Sequence, residues 1–228
     1  MAVNINTVYQ KVLSLSNKEQ RGYITPQEFN LFADQAQKEI FEQYFYDINQ
    51  FNRLPGNSQE YSDMMSNLNE KITPFEATTT ITAGVIGATD LYRLGTVIVG
   101  GNTEIQEVQQ NEILYIENSP LTAPTQIRPV YIRTGELSVD IRPTTITGII
   151  TCTYIKNPSM PSWGYFVVGD KALYDSSPTK TTHFELHPSE ESELVYKILK
   201  YSGVSIKRDE LLSVGQGLES QQVQQEKQ

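Results

Sequence analysis

One stretch limits what this chain can fold into more than any other: "ITPQEFNLFADQAQKEIFEQYFYDINQFNRLPG", residues 24–56. Thr25 is placed to cap a helix. Pro26 suits the first helical position, where no N–H is needed, and Glu28 completes a T-x-x-E capping box. Phe29, Phe32, Ala33, Ala36, Ile40, Tyr44, Ile48 and Phe51 then recur at steps of three and four, the period of one helix face. Pro55-Gly56 ends the run. A helix over 26–54 would be about 43 Å long, whereas a chain of 228 residues packs to a radius of gyration of roughly 17 Å. Such a helix must cross the whole molecule or project from it. Phe41 and Phe45 form a second apolar row, which widens the buried face. The spacing predicts that the row with Ile40 packs on the chain's own core, while Phe41 and Phe45 meet a neighbouring subunit.

Around this helix the chain changes texture twice. Residues 1–75 read as helical, with Ile5, Val8, Val12 and Leu13 at helical spacing in "INTVYQKVLSLS". Residues 76–187 read as β. "EATTTIT", "LYRLGTVIV", "TEIQEVQ", "QIRPVYIRT", "ELSVDIRP", "TGIITCTYIK" and "YFVVGDKALY" are short, rich in Val, Ile, Thr and Tyr, and set off by turn residues. Hairpins are expected around Gly135 and around Gly169-Asp170, and a short helix within 109–119 with Ile113 and Ile116 inward. No βαβ rhythm is present, so the expectation is an antiparallel sandwich or barrel within an α+β fold.

Residues 188–228 return to helix. Pro188 and Ser189 open it, and Glu190, Glu191 and Glu193 crowd its first turns, as the helix dipole favours. Leu194, Val195, Ile198 and Leu199 form its apolar face, and Gly203 is the expected stop. A short last helix can begin on Leu211 and Leu212 and extend to Leu218. From Gln216 onward, six of thirteen residues are Gln. Such an extended polar tail cannot bury enough apolar surface to order by itself.

Composition excludes several roles. A formal net charge of −9 disfavours a coat on nucleic acid, which needs clustered Lys and Arg, and docking on an anionic membrane. The first residues, Met-Ala-Val-Asn-Ile-Asn, lack the basic and apolar blocks of a signal peptide, and no run approaches the length of a membrane span. Cys152 is the single cysteine, so no disulfide framework forms within the chain. These features suit synthesis in a reducing cytoplasm.

Catalytic motifs are absent: there is no G-x-S-x-G, H-E-x-x-H, C-x-x-C or phosphate-binding G-x-x-x-x-G-K. The exception to weigh is "HFELH". On a strand His183, Glu185 and His187 would share a face, and two imidazoles with a carboxylate can hold a divalent metal. His187 precedes Pro188, however, where the strand must end. A solvated strand edge leading into a helix cap is the reading adopted, with no metal and no cofactor. Asp140 reads as an outward strand position, and Trp163 as a core aromatic anchoring its loop.

"NKEQRGYITPQEFNLFADQAQKEIFEQYFYDINQFNR", "HPSEESELVYKILKYSGVSIK" and the terminal "QQEKQ" resemble a family of bacteriophage virion proteins found in crAss-like and related short-tailed phages. The resemblance covers both helical ends and, more loosely, the β region. It implies a non-enzymatic head–tail connector, an adaptor or ring protein below the portal. Such proteins form homo-oligomeric rings, commonly of twelve subunits, which extend the channel for genomic DNA without binding it specifically and grip the portal or other tail rings through chain termini. It thus implies a virion location, with a docking tail in which Leu211, Leu212, Leu218 and Val223 would bury against the neighbouring protein. The β region exceeds what a minimal adaptor needs, which also admits a lower tail ring. The rival readings are a capsid-decorating or receptor-binding module and a metal-dependent hydrolase on His183, Glu185 and His187.

Overall fold

The computed structural model describes residues 3–16, 24–53, 59–146, 148–169 and 171–205, together with Gly217 and Ser220. The chain forms two compact units: residues 1–74 with 158–228, and residues 75–157. The expected organisation into 1–75, 76–187 and 188–228 is corrected by this division. Residues 158–187 belong with the helices, because Trp163, Phe184 and Leu186 bury their side chains in that unit.

The first unit contains helices α1 (Ile5–Ser16), α2 (Pro26–Arg53), α3 (Gln59–Ile72) and α5 (Glu191–Ser205). Helix α2 begins as its sequence demands. The Thr25 N–H and hydroxyl both donate to Glu28 Oε2, at 3.0 and 2.8 Å, and the Glu28 N–H returns a bond to Thr25 Oγ1. These bonds from the Thr25 hydroxyl and backbone hold the Glu28 carboxyl below its ordinary pKa. Phe29, Ala33, Ala36, Ile40 and Tyr44 are buried along one row. Helix α2 packs on α3 and α5, and α1 packs on α5. In α1 the buried side is Ile5, Val8, Tyr9 and Val12; Tyr9 takes the inward place expected of Leu13, which is half-buried.

Helix α5 follows a single 3-10 turn, Pro188–Glu190, capped by His187. It runs through Gly203 to Ser205, so the expected stop is not there: Ser202 and Gly203 are buried, and the packed turn outweighs the glycine's poor helix propensity. Leu194, Val195, Ile198 and Leu199 are all buried, as their spacing predicts.

The second unit is a seven-stranded sheet of β1 (Glu76–Thr82), β2 (Val85–Ile86), β3 (Leu91–Val99), β4 (Thr103–Glu107), β5 (Val130–Arg133), β6 (Val139–Arg142) and β7 (Ile150–Lys156), in the order β2-β1-β7-β3-β4-β5-β6. Its two ends meet. Ile86 N–H donates to the Leu137 carbonyl at 2.9 Å, and Val139 N–H to the Gly84 carbonyl at 2.8 Å, so the sheet closes as a barrel. Gly84 is required at that seam: its φ is +78°, and a Cβ would stand 2.6 Å from the Val139 carbonyl oxygen. Ile81, Val97, Val99, Ile105, Tyr131, Val139 and Cys152 belong to the buried core.

The expected antiparallel pairing holds except between β4 and β5, which run parallel. Their connection carries α4 (Ile113–Asn118), the short helix expected within 109–119. A second small cluster joins Ile113 and half-buried Ile116 to Val130 and Ile132 of β5. Tyr131, between those two strand residues, faces the barrel core instead, so β5 is covered on both sides. The β5–β6 hairpin forms around Gly135 as its turn residues predict.

Candidate functional site

The HFELH segment does what a cap and a strand edge do. Phe184 and Leu186 are buried, while His183, Glu185 and His187 lie on the more open side. The three serve separate partners. His183 Nδ1 accepts from Ile5 N–H, Glu185 Oε2 accepts from Ser159 N–H at 3.2 Å, and His187 Nδ1 accepts from Ser189 N–H. Among the described residues, no group of three His, Cys, Asp or Glu side chains converges to hold a metal.

Buried charge is concentrated elsewhere, on α5. Lys197, 2% exposed, lies 3.1 Å from Glu39 of α2 and 3.5 Å from Glu193. Tyr201 also donates to Glu39. Glu190 Oε1 meets Lys71 Nζ of α3 at 2.7 Å. A cleft of about 360 Å³ is lined by Ile40, Tyr44, Leu68, Lys71, Glu190 and Glu193. Glu190–Lys71 ties the turn before α5 to α3 and Lys197–Glu39 ties α5 to α2, whereas Glu193–Lys197 lies within α5. From the sequence, Glu190 and Glu193 read only as acids favoured by the helix dipole. The i,i+4 spacing of Glu193 and Lys197 on the inward arc was the available signal.

The expected interface pair on α2 divides. Phe41 is 1% exposed and belongs to the core, and Phe45 is half-buried with its ring 5.1 Å from that of Phe41, edge to face. Phe41 is therefore no intersubunit residue in the folded unit. Helix α2 packs on both α3 and α5 within the same unit. The tail residues Leu211, Leu212, Leu218 and Val223 lie outside the described residues.

A surface that sequence reasoning missed stands on the hairpin of β8 (Tyr165–Val168) and β9 (Lys171–Tyr174). Its base is fixed by Trp163, 3% exposed. The indole N–H donates to Asn6 Oδ1 at 3.1 Å, and the Trp163 backbone N–H donates to Asn30 Oδ1 at 2.8 Å. Tyr9 lies against the indole at 4.2 Å, and Tyr165 and Tyr174 stack on it at 5.8 Å each. Tyr165 pairs directly with Tyr174, so that face of the hairpin is the inward one.

The next pair, Phe166 and Leu173, points the other way, as strand alternation requires, and shares its face with Val168 and Lys171. Phe166 is 44% exposed, Leu173 45% and Val168 56%. Three adjacent apolar side chains on a two-stranded ribbon are therefore open to water. The signal was present in "YFVVGDKALY": both alternating sets of this hairpin are apolar, which a strand with one wet face does not need.

The barrel unit also exposes large apolar side chains along the β4–β5 crossover. Leu114 and Tyr115 of α4 turn away from the Ile113 side, and Leu121 and Ile127 are 91% and 84% exposed. Acidic residues border them: Glu112 and Glu117 are exposed, the latter 3.4 Å from Arg142, which in turn holds Asp140 at 2.9 Å. Neither surface gathers groups for acid–base or nucleophilic chemistry.

No family model matches the chain, and no curated protein matches it.

Proposed function

We propose that the chain is a non-catalytic structural protein of a bacteriophage particle. It forms a ring of like subunits in the head–tail connector or tail, below the portal, and genomic DNA passes through the lumen. The observation that carries this reading is the open outer face of the β8–β9 hairpin, with Phe166, Val168 and Leu173 side by side and uncovered. A contiguous apolar surface of this kind is unfavourable in water and stabilises an assembly that covers it.

The resemblance of the helical ends to virion proteins of short-tailed phages supplies the kind of assembly. The net charge of −9 suits a lumen along which DNA slides without adhering. The stretch from about 205, with Leu211, Leu212, Leu218 and Val223, is assigned to grip the adjacent ring, where ordering it costs roughly 1–2 kcal/mol per residue.

Sedimentation and negative-stain imaging of the purified full-length chain test the reading. Closed rings are expected, twelve-fold by the resemblance. A species that stays at the 25.8 kDa of one chain at every concentration would overturn it.

A further inference from the structure

We propose that the cleft lined by α2, α3 and the turn that begins α5 binds a small organic cation, an ammonium group on an apolar stem. The site lies wholly within the helical unit, and it does not rest on the ring reading.

Three observations choose the ligand. First, Glu190 lines the cleft at 1% exposure, yet only half of its carboxylate is satisfied. Oε1 accepts from Lys71 Nζ at 2.7 Å and from Ser189 Oγ at 2.9 Å, whereas Oε2 has no hydrogen-bond partner. A buried carboxylate oxygen without a donor is costly. A ligand that brings an N–H to it therefore gains more than it would at a solvated acid.

Second, the charge around the cleft is out of balance. Asp47, Glu70, Glu190 and Glu193 all line it, and Lys71 is the one lysine or arginine among the described residues that do. Lys197 lies 3.5 Å from Glu193 but is shared with Glu39, at 3.1 Å. The excess of carboxylates favours a cation over a neutral or anionic molecule.

Third, the rest of the lining is apolar. Ile40, Tyr44 and Leu68 are buried there, and Met64 is half-buried. A cleft of about 360 Å³ falls at the lower end of the range for small-molecule sites. Among the described residues, no three His, Cys, Asp or Glu side chains converge on a metal ion. The cation that fits this lining carries an apolar body of its own.

Methionine-methyl NMR of the full-length chain tests the site. Met64 lines the cleft and Met160, 55% exposed, does not. With 13C-methyl methionine, titration of 2-phenylethylamine should shift the Met64 resonance in a saturable manner and leave that of Met160 in place. The neutral isostere 2-phenylethanol should bind about tenfold more weakly or worse, because it brings no charge to the carboxylate. Glu190→Gln keeps the side-chain shape but turns an acceptor into a donor, and should weaken the amine by about the same factor.

A Met64 resonance that the amine does not move would overturn the proposal. So would equal binding of the amine and the alcohol by the parent chain, a comparison that needs no variant to fold. A folded Glu190→Gln chain that binds the amine as tightly as the parent would also overturn it. None of these results bears on whether the chain forms rings.

Discussion

Two tyrosine hydroxyls, one in each unit, donate to carboxylates in partly buried places. Tyr131 of the barrel core bonds Glu107, an exposed carboxylate, at 3.2 Å, and Tyr201 bonds Glu39 beside the buried Lys197. Burial first, and then the adjacent carboxylate, push each phenol up to about 12. Tyr154 is raised for the same reasons, burial and its bond to Asp90. In the unfolded chain a phenol ionises near its ordinary value of about 10. The folded state thus holds protons that the unfolded state has released. The stability these groups contribute is complete below about pH 10 and is lost as pH rises toward 12. Absorbance at 295 nm should show Tyr131 and Tyr201 among the last of the thirteen tyrosines to ionise, in step with unfolding. Tyr201→Phe should flatten the alkaline loss of helix content. Ionisation of all thirteen near pH 10 with the fold intact would contradict this.

At the scale of elements, α2 divides its aromatic residues by what covers them. Phe41→Ala should cost about 3–5 kcal/mol, the usual loss for a fully buried phenylalanine. Phe45→Ala, at a half-buried position, should cost about 1 kcal/mol. Urea unfolding followed by circular dichroism separates the two, and equal losses would show that the rows are equivalent. Helix α2 was legible from 24–56 because its capping box, its period and its Pro-Gly stop are local. The capping bonds at Thr25 and Glu28 appear in the structure as the motif predicts. That α2 would pack on α5 was not legible, since α5 lies more than a hundred residues along the chain and no local pattern announces it. For the same reason the strands could be read but not the closure of their sheet. The seam depends on β2, only two residues long, which is too short to carry a period. The outer face of the hairpin was visible as an apolar run, but an apolar run also describes a buried strand, and only its exposure distinguishes the two.

On the scale of the whole molecule, the barrel is an insertion. The chain leaves the helical unit at residue 74 and returns at 158, and the strands nearest those points are neighbours: Glu76 of β1 pairs with Ile155 of β7. Residues 75–157 expressed alone should therefore fold, with a cooperative melting transition. The remainder, joined from 74 to 158 by a short Gly-Ser linker, should keep the buried-indole fluorescence of Trp163. Solvent-exposed emission from that joined chain would show that the helical unit needs the barrel to hold its two segments. The insertion also sets an order of events at the ribosome. Helices α1 to α3 are made first, yet their apolar sides wait for partners encoded after the barrel: Trp163, which Asn6 and Asn30 hold, Phe184, which pairs with Val3, and α5. The barrel meets no such delay, because all its strands have emerged before any of those partners exist. During synthesis the barrel matures first, and the N-terminal helices stay open to chaperones, or to the matching helices of a neighbouring nascent chain, until translation has passed α5.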